Sequence, residues 1–178
     1  MGVKNIAIFV FLILASLFAA AADKSLSPYH TLILQPFTVD PELAKAKFPP
    51  DYENVLERTL FARLLSERVF ETVTDASLDP NALQTKASAT LIASGEVVDY
   101  YKGNRAARVI INYGAGAARI KIVVTFRDAE TGKEVLRLEH EGSYAGFGNI
   151  TGGSAEKART ESARKVVDGL VKKIRAAR

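Results

Sequence analysis

The sequence predicts an α+β fold, a two-layer α/β sandwich in which a mixed or antiparallel sheet of about four to five strands carries two main helices on one face. Two observations support this class. Segments in which apolar and polar residues alternate, as in half-buried strands, lie between two segments with helical spacing. Hydrophobic residues make up 48% and charged residues 25% of the 178 residues, which excludes disordered and fibrous classes.

The start of the chain is an apolar run, Ile6–Ala22, that follows Lys4 and ends in small residues. This layout is typical of a secretory signal peptide. We predict a signal peptide over 1–22, removed at its alanine-rich end, and a short polar lead-in over 23–29. The domain would then be periplasmic or secreted. The alternative is a retained N-terminal anchor, because the run is at the short limit for crossing a bilayer.

The next segment predicts a single α/β domain over 30–178, opening with a strand and a long helix. Residues 30–39 alternate and are bounded by prolines, so we expect a first strand that ends near Asp40. The proline-rich stretch 41–50 predicts a loop with one helical turn. An amphipathic helix follows, capped by the side chain of Asp51, with charged residues such as Glu57 mostly towards solvent. Its apolar stripe consists of Tyr52, Val55, Leu56, Leu60, Phe61, Leu64 and Leu65.

The middle of the chain predicts further strands. A short strand at 71–74 and one short helix precede a long strand at Thr90–Tyr101. Gly95 within it indicates a bulge or the close approach of a neighbouring backbone. The segment Ala118–Asp128 alternates strictly and returns, through a turn that contains glycine, as the partner strand 135–144. This hairpin should present one core face and one solvated face. In the strand Ala118–Asp128 the predicted core positions are Ile120, Ile122, Val124 and Phe126, and the predicted solvated positions are Arg119, Lys121, Thr125 and Arg127.

The last segment predicts a helix that begins after Ser154 and has basic residues at its end. The residues at helical spacing are Ala155, Ala158, Ser162, Val166, Leu170 and Ile174. A glycine cluster precedes it, and free amides at a helix start can hold an anion. Gly152, Gly153 and Ser154 therefore form a weak anion-site candidate. The alternative interpretation is a flexible connection.

A second pair of glycines, Gly114 and Gly116, stands among basic residues and resembles a phosphate cradle. Such a cradle needs a helix N-terminus directly after the glycines, whereas here a strand follows. We interpret the glycines as aids to chain geometry at a strand entrance. Around them we predict a contact surface, although a merely solvated face remains the alternative. The candidate residues are Arg105, Arg108, Tyr113, Gly114, Gly116 and Arg119.

Residues that usually carry catalysis are scarce. The chain has no cysteine, so it lacks a thiol nucleophile, a disulfide and a thiol for lipid attachment. Its two histidines, His30 and His140, stand in no recognised catalytic or metal-binding motif. His140 shares a strand face with Leu136 and Leu138, which favours a partly buried structural histidine. We predict no enzyme activity, no metal and no cofactor.

The pattern from Ala93 to Leu136 resembles a family of exported bacterial proteins known as domain of unknown function 4410. The likeness rests on the strand with Gly95, the arginine-led approach to the Gly-Ala-Gly at 114–116, the alternating strand and the turn after Asp128. The resemblance implies an envelope protein with an α/β sandwich. Many members carry a lipid-acceptor cysteine after the leader, whereas this chain has Asp23 there. No catalytic or binding residues carry over from the family.

These features lead to two hypotheses about function. The first is an exported, non-catalytic binding or assembly module of the cell envelope that contacts another envelope protein or a second copy. The element order is similar to small periplasmic modules of cell-wall synthase activators, the curli secretion channel and the Tol system, which work through protein contacts. The alternative is a carrier or weak hydrolase for an anionic envelope ligand, such as a lipid or glycan. Export makes nucleic acid an unexpected partner for either.

Overall fold

The computed structural model of the protein describes residues 25–45, 48–84, 86–101, 118–144 and 155–178. In these ranges the chain forms an α+β fold around one six-stranded mixed sheet. The strands are β1 (Thr31–Leu34), β2 (Thr38–Val39), β3 (Thr72–Asp75), β4 (Thr90–Tyr101), β5 (Ala118–Asp128) and β6 (Glu134–Tyr144). The helices are α1 (Pro41–Lys45), α2 (Tyr52–Ser66) and α3 (Ala155–Ala176), with a 3₁₀ helix at Pro80–Gln84.

The sheet has the strand order β3-β1-β4-β5-β6, and β2 also pairs with β4. The first three of these strands run parallel to one another, and the last three form an antiparallel meander. The prediction of a mixed sheet is therefore confirmed. The predicted count of four to five strands is too low, since the segment expected to be one strand at 30–39 forms both β1 and β2.

The break between β1 and β2 follows from one backbone N–H that bonds outside the sheet. Both strands lie along the same edge of β4, where Leu34 is in register with Ala93 and Thr38 with Glu96. Thr31 and Gln35 donate their N–H groups to the carbonyl oxygens of Ala89 and Ala93, so the next N–H in line towards β4 is that of Phe37. That N–H donates instead to Glu57 Oε2 at 3.0 Å, and the ladder is interrupted there.

The predicted role of Gly95 needs correction. Its register with Val124 is regular, and the bulge of β4 lies instead between Val97 and Asp99. The close neighbour is the ring of Phe37, a side chain and not a backbone. Gly95 thus accommodates the ring that fills the break between β1 and β2.

The first long helix also differs from expectation at two points. Asp51 has a φ of 60° and makes no side-chain capping hydrogen bond, so the predicted cap is wrong. A capping residue normally has an extended backbone, which a left-handed residue lacks. Leu65, expected in the buried stripe, is 46% exposed. Leu65 follows Leu64 by one residue and is therefore rotated by about 100° around the helix axis, beyond the edge of the buried face.

Both long helices pack on the same face of the sheet, as predicted. Their buried residues form one core with alternate residues of β5, and the predicted inward positions of that strand are confirmed. Thr125, predicted on the solvated face, is only 8% exposed, because β5 lies between β4 and β6 in the sheet. The opposite face is called here the open face, because neither long helix covers it. The core includes Leu56, Leu60 and Leu64 of α2, Val166, Leu170 and Ile174 of α3, and Ile120, Ile122, Val124 and Phe126 of β5.

The hairpin turn is confirmed in detail. Gly132 has a φ of 69°, a conformation in which glycine is free of Cβ strain. Thr131 donates through both its N–H and its hydroxyl to Asp128 Oδ1, each at 2.7 Å. These hydrogen bonds lower the pKa of Asp128.

Within the described ranges, no helix combines the length and apolarity needed to span a bilayer.

Candidate contact surface

The predicted contact surface is only partly contained in the described structure. Arg119 lies there, near the start of β5, in register with Tyr101 at the end of β4. The candidates Arg105, Arg108, Tyr113, Gly114 and Gly116 lie outside the described residues. The weak anion-site candidates Gly152, Gly153 and Ser154 lie outside them too. Because residues 102–117 connect β4 to β5, Tyr101 and Arg119 mark the end of the sheet from which the predicted surface continues.

Arg119 belongs to the open face, because its neighbour Ile120 is fully buried on the other side of the strand. Its guanidinium carbon lies 5.6 Å from the centre of the Tyr101 ring, within the range of a cation–π contact. Its Nη1 lies 3.8 Å from Glu141 Oε1 on β6. Tyr101 remains 45% exposed and is one of the few large hydrophobic side chains in the described ranges with that much surface.

Lys121 is the next open-face residue of β5. Its Nζ lies 2.5 Å from Glu139 Oε1, and Asp99 of β4 is in register with it on the other side. The hydrogen bond to Glu139 raises the pKa of Lys121. Arg119 and Lys121 thus each lie diagonally opposite an acidic residue of β6. Cross-strand pairs of opposite charge stabilise antiparallel sheets.

We call this cluster the sheet-end patch. It presents an exposed aromatic ring and mixed charges that already neutralise each other in pairs. Such a surface can take part in protein contacts, whereas little uncompensated positive charge is left in it to hold an anion. Its members are Tyr101, Arg119, Lys121, Glu139 and Glu141.

A second cluster, which the sequence did not predict, is a pair of carboxyl groups in the core. Glu57 of α2 and Asp75 of β3 are only 3% and 5% exposed. The prediction that Glu57 faces solvent is therefore wrong. A signal was present, because Glu57 and Leu64 are seven residues apart and so share one helix face. Asp75 likewise alternates with Val73 onto the core side of β3.

The environment of Glu57 is apolar except for a few hydrogen-bond partners. The Phe37 N–H donates to Glu57 Oε2 at 3.0 Å. Burial is the main cause that raises the pKa of Glu57, the Phe37 N–H opposes it, and the charge and hydrogen bond of Asp75 raise the pKa further. Both carboxyls are closed off from solvent, so the pair is not placed to act on a substrate.

The two histidines lie apart in the sheet. His30 precedes β1 and its Nδ1 lies 3.0 Å from Glu71 Oε1, both being exposed. His140 on β6 is partly buried, as predicted, and its ring contacts Gly169 of α3. Burial and then the charge of Lys173 lower the pKa of His140. In the described ranges no three or more His, Asp or Glu side chains are grouped so that they could hold a metal.

Comparison with known proteins decides the family. The family model described as "Domain of unknown function (DUF4410)" matches residues 38–148. The chain belongs to the DUF4410 family. A search of curated proteins finds no match.

Solved structures with similar folds come from several bacteria. Protein XCC0632 from Xanthomonas campestris, assigned to DUF330, matches with a TM-score of 0.55 and 8% identity, covering 84% of this chain and 85% of that one. Hypothetical protein CT253 from Chlamydia trachomatis matches with a TM-score of 0.52 and 10% identity, covering 83% and 96%. A PelC dodecamer from Paraburkholderia phytofirmans matches with a TM-score of 0.48 and 12% identity, covering 79% and 86%. At these identities the first two similarities show a shared fold alone.

Proposed function

We propose that this DUF4410 protein is a non-catalytic binding or assembly module of the cell envelope that acts through protein contacts. The observation that carries the proposal is the sheet-end patch, where Tyr101 is exposed beside Arg119 and the charges are paired. Aromatic residues and arginine are enriched at the centres of protein interfaces. The signal-like start of the chain supports an envelope location for this activity.

The partner is an envelope protein or a second copy of the chain. On this proposal the contact surface extends from the sheet-end patch into the segment that carries Arg105, Arg108, Tyr113, Gly114 and Gly116. Those residues add further positive charge and small side chains that permit close approach. An interface of this kind would bury the Tyr101 ring and exclude water from the centre of the contact. Residues in such a water-free centre contribute most of the binding energy.

The test compares substitutions of two exposed hydrophobic residues, one on the open face of the sheet and one in the helical layer. The double variant Tyr101→Ala/Arg119→Ala is compared with Leu65→Ala, since Leu65 on α2 is 46% exposed and Tyr101 is 45% exposed. Native complexes are solubilised from the envelope and sized by sedimentation. We expect the double variant to release the protein from its complex, and Leu65→Ala to retain it. The result that would overturn the proposal is equal retention of both variants when both are folded.

A second variant, Gly116→Val, probes the part of the surface that lies outside the described residues. A branched side chain would crowd a strand entrance that we interpret as needing small residues. Loss of the complex without loss of folded protein is expected. Unchanged cross-linking in intact cells would show that the glycine pair is not part of the contact surface.

A second candidate function is a carrier or weak hydrolase for an anionic envelope ligand. One observation favours it, because α3 begins at Ala155, directly after Gly152, Gly153 and Ser154. The test is thermal melting of the protein with phosphate, lipid headgroups and cell-wall fragments. A saturable rise of the melting temperature that is lost in Arg105→Ala/Arg108→Ala would favour this function over the first. No rise would leave the contact module as the better account.

A further inference from the structure

His140 is a partly buried histidine at the contact between α3 and β6. Its ring occupies the space into which a side chain at residue 169 would project, so the ring lies directly on the backbone of α3. Among the described residues, the His140 side chain has no hydrogen-bond or ion-pair partner. Most buried polar side chains do have such a partner, so packing alone holds this imidazole in place.

The helix approaches the strand closely on both sides of this ring. Gly169 on α3 leaves room for His140, and Gly142 on β6 leaves room for Val166. A Cβ on Gly142 would lie 2.6 Å from Val166 Cγ2, and Val166 is fully buried. The two elements therefore interlock, with a glycine on each side, and there is little space for a solvating water molecule between them.

The strands bring no carboxylate to this contact within the described part of the chain. β5 presents the apolar Ile122 in register with His140. The side chains of Glu139 and Glu141 point to the open face, where each pairs with a basic residue of β5. Successive residues of a strand face opposite sides, so these two carboxylates lie across the sheet from the imidazole.

The helix adds positive charge. The acidic residue next to Gly169 is Asp168, which is bound by Arg63 of α2 at 2.8 Å. Lys173, one turn beyond Gly169, donates from its Nζ to the carbonyl oxygen of Glu139 at 2.6 Å. Three lysines of α3 lie within about one turn of Gly169 along the same side of the helix. They are Lys165, Lys172 and Lys173.

We infer that His140 is an acid-sensing residue that fastens the C-terminal half of α3 to β6 while its ring is neutral and releases the helix when the ring is protonated. A protonated imidazole is unfavourable in this packed contact, because it lacks a carboxylate partner and lies near the Lys173 ammonium. Release of the helix also withdraws Lys173 from the edge strand β6. The device goes beyond the proposed contact function, because it acts between the helical layer and the core side of the sheet.

The sign follows from proton linkage. Burial and then the charge of Lys173 lower the pKa of His140 below its ordinary value of 6.5, so the open contact binds more protons than the closed one. The contact is therefore at full strength above pH 6.5 and weakens as the pH falls from 6.5 through the lowered pKa of the closed state.

The test measures local opening by hydrogen exchange of the whole protein between about pH 8 and about pH 5, the range in which histidine titrates. Rates are corrected for intrinsic exchange, and amides of 166–176 are compared with those of the central strand β4. We expect the opening constant of 166–176 to rise relative to β4 as the pH falls. The rise should be up to about tenfold for each unit by which the pKa of His140 lies below 6.5.

The variant His140→Gln retains a polar side chain that does not titrate, so the relative opening should become independent of pH. His140→Leu is the second test if His140→Gln does not fold. His30→Gln removes the other histidine of the chain and should retain the pH dependence of the wild type. A flat wild-type profile, or an unchanged pH dependence in a folded variant of His140, would overturn the inference.

Discussion

The ring of Phe37 occupies the space into which a side chain at residue 95 would project. Phe37 is 5% exposed and its N–H is held by Glu57 at 3.0 Å, so the ring has little freedom to move away. Glycine at this position in β4 is thus explained by a contact between a loop and the core face of the sheet. The same buried ring lies beside β4 where β1 and β2 are interrupted.

Gly95→Ala should destabilise the protein by about 1 to 3 kcal/mol, because overfilling a packed site forces side chains from their rotamers or shifts the backbone. Urea unfolding of wild type and variant measures this difference. Ser94→Ala is the control, since Ser94 points to the open face, and it should change the free energy of unfolding by less than about 0.5 kcal/mol.

A double-mutant cycle identifies Phe37 as the cause. In a Phe37→Leu background, the cost of Gly95→Ala should shrink by at least about 0.5 kcal/mol, because the colliding ring atoms are gone. Strict additivity of the two substitutions would show that Gly95 is required for some other reason.

Tyr52 and Ser162 join the two long helices by a buried hydrogen bond of 2.7 Å between their hydroxyl oxygens. The Ser162 hydroxyl already donates to the carbonyl oxygen of Arg159, so Tyr52 is the donor in this bond. Tyr52→Phe should cost about 1 kcal/mol in the free energy of unfolding. Ser162 keeps its bond to Arg159 in the variant, which limits the loss.

The same tyrosine predicts a dependence on alkaline pH. Burial raises the pKa of Tyr52 from 10.0 to about 12, so its contribution to stability is present below pH 10.0 and is lost as the pH rises towards 12. Tyr52→Phe should reduce the slope of stability against pH in this window. Equal slopes for the two proteins would mean that Tyr52 ionises as readily in the folded state as in the unfolded chain.

Lys173 of α3 donates from its Nζ to the backbone carbonyl oxygen of Glu139 at 2.6 Å. Glu139 lies on β6, an edge strand of the described sheet, and unpaired edge groups promote pairing with another chain. Lys173→Met should therefore increase self-association, measured by analytical ultracentrifugation across a concentration series. Lys172→Met is the matched control with the same loss of charge. If both variants associate equally, the effect comes from the lost charge and not from exposure of the edge strand β6.

Two of the strands were predicted from the sequence with both of their ends. The bounds of β4 and β5 match the prediction, because alternation along a strand reports its buried face directly. The closing helix and its buried Val166, Leu170 and Ile174 were predicted for the corresponding reason, since spacing of three and four marks a helix face.

Several of the errors have their origin in contacts between distant parts of the chain. The split between β1 and β2 depends on Glu57 and Gly95, which are far from it in sequence. The error at Asp51 is local, because its left-handed backbone does not suit a capping residue. The burial of Glu57 depends on Asp75 and Phe37 as partners, which local patterns do not reveal. Polar residues in a core are stable only with such partners, so their positions depend on the assembled fold.

The most direct measurement is photo-cross-linking in intact cells from positions 101 and 65, each replaced in turn by a photoreactive phenylalanine. Tyr101 and Leu65 are 45% and 46% exposed and lie on the open face and the helical layer respectively. The contact-module account predicts discrete adducts from position 101 and none above background from position 65. Adducts of equal yield from both positions, or from position 65 alone, would contradict it.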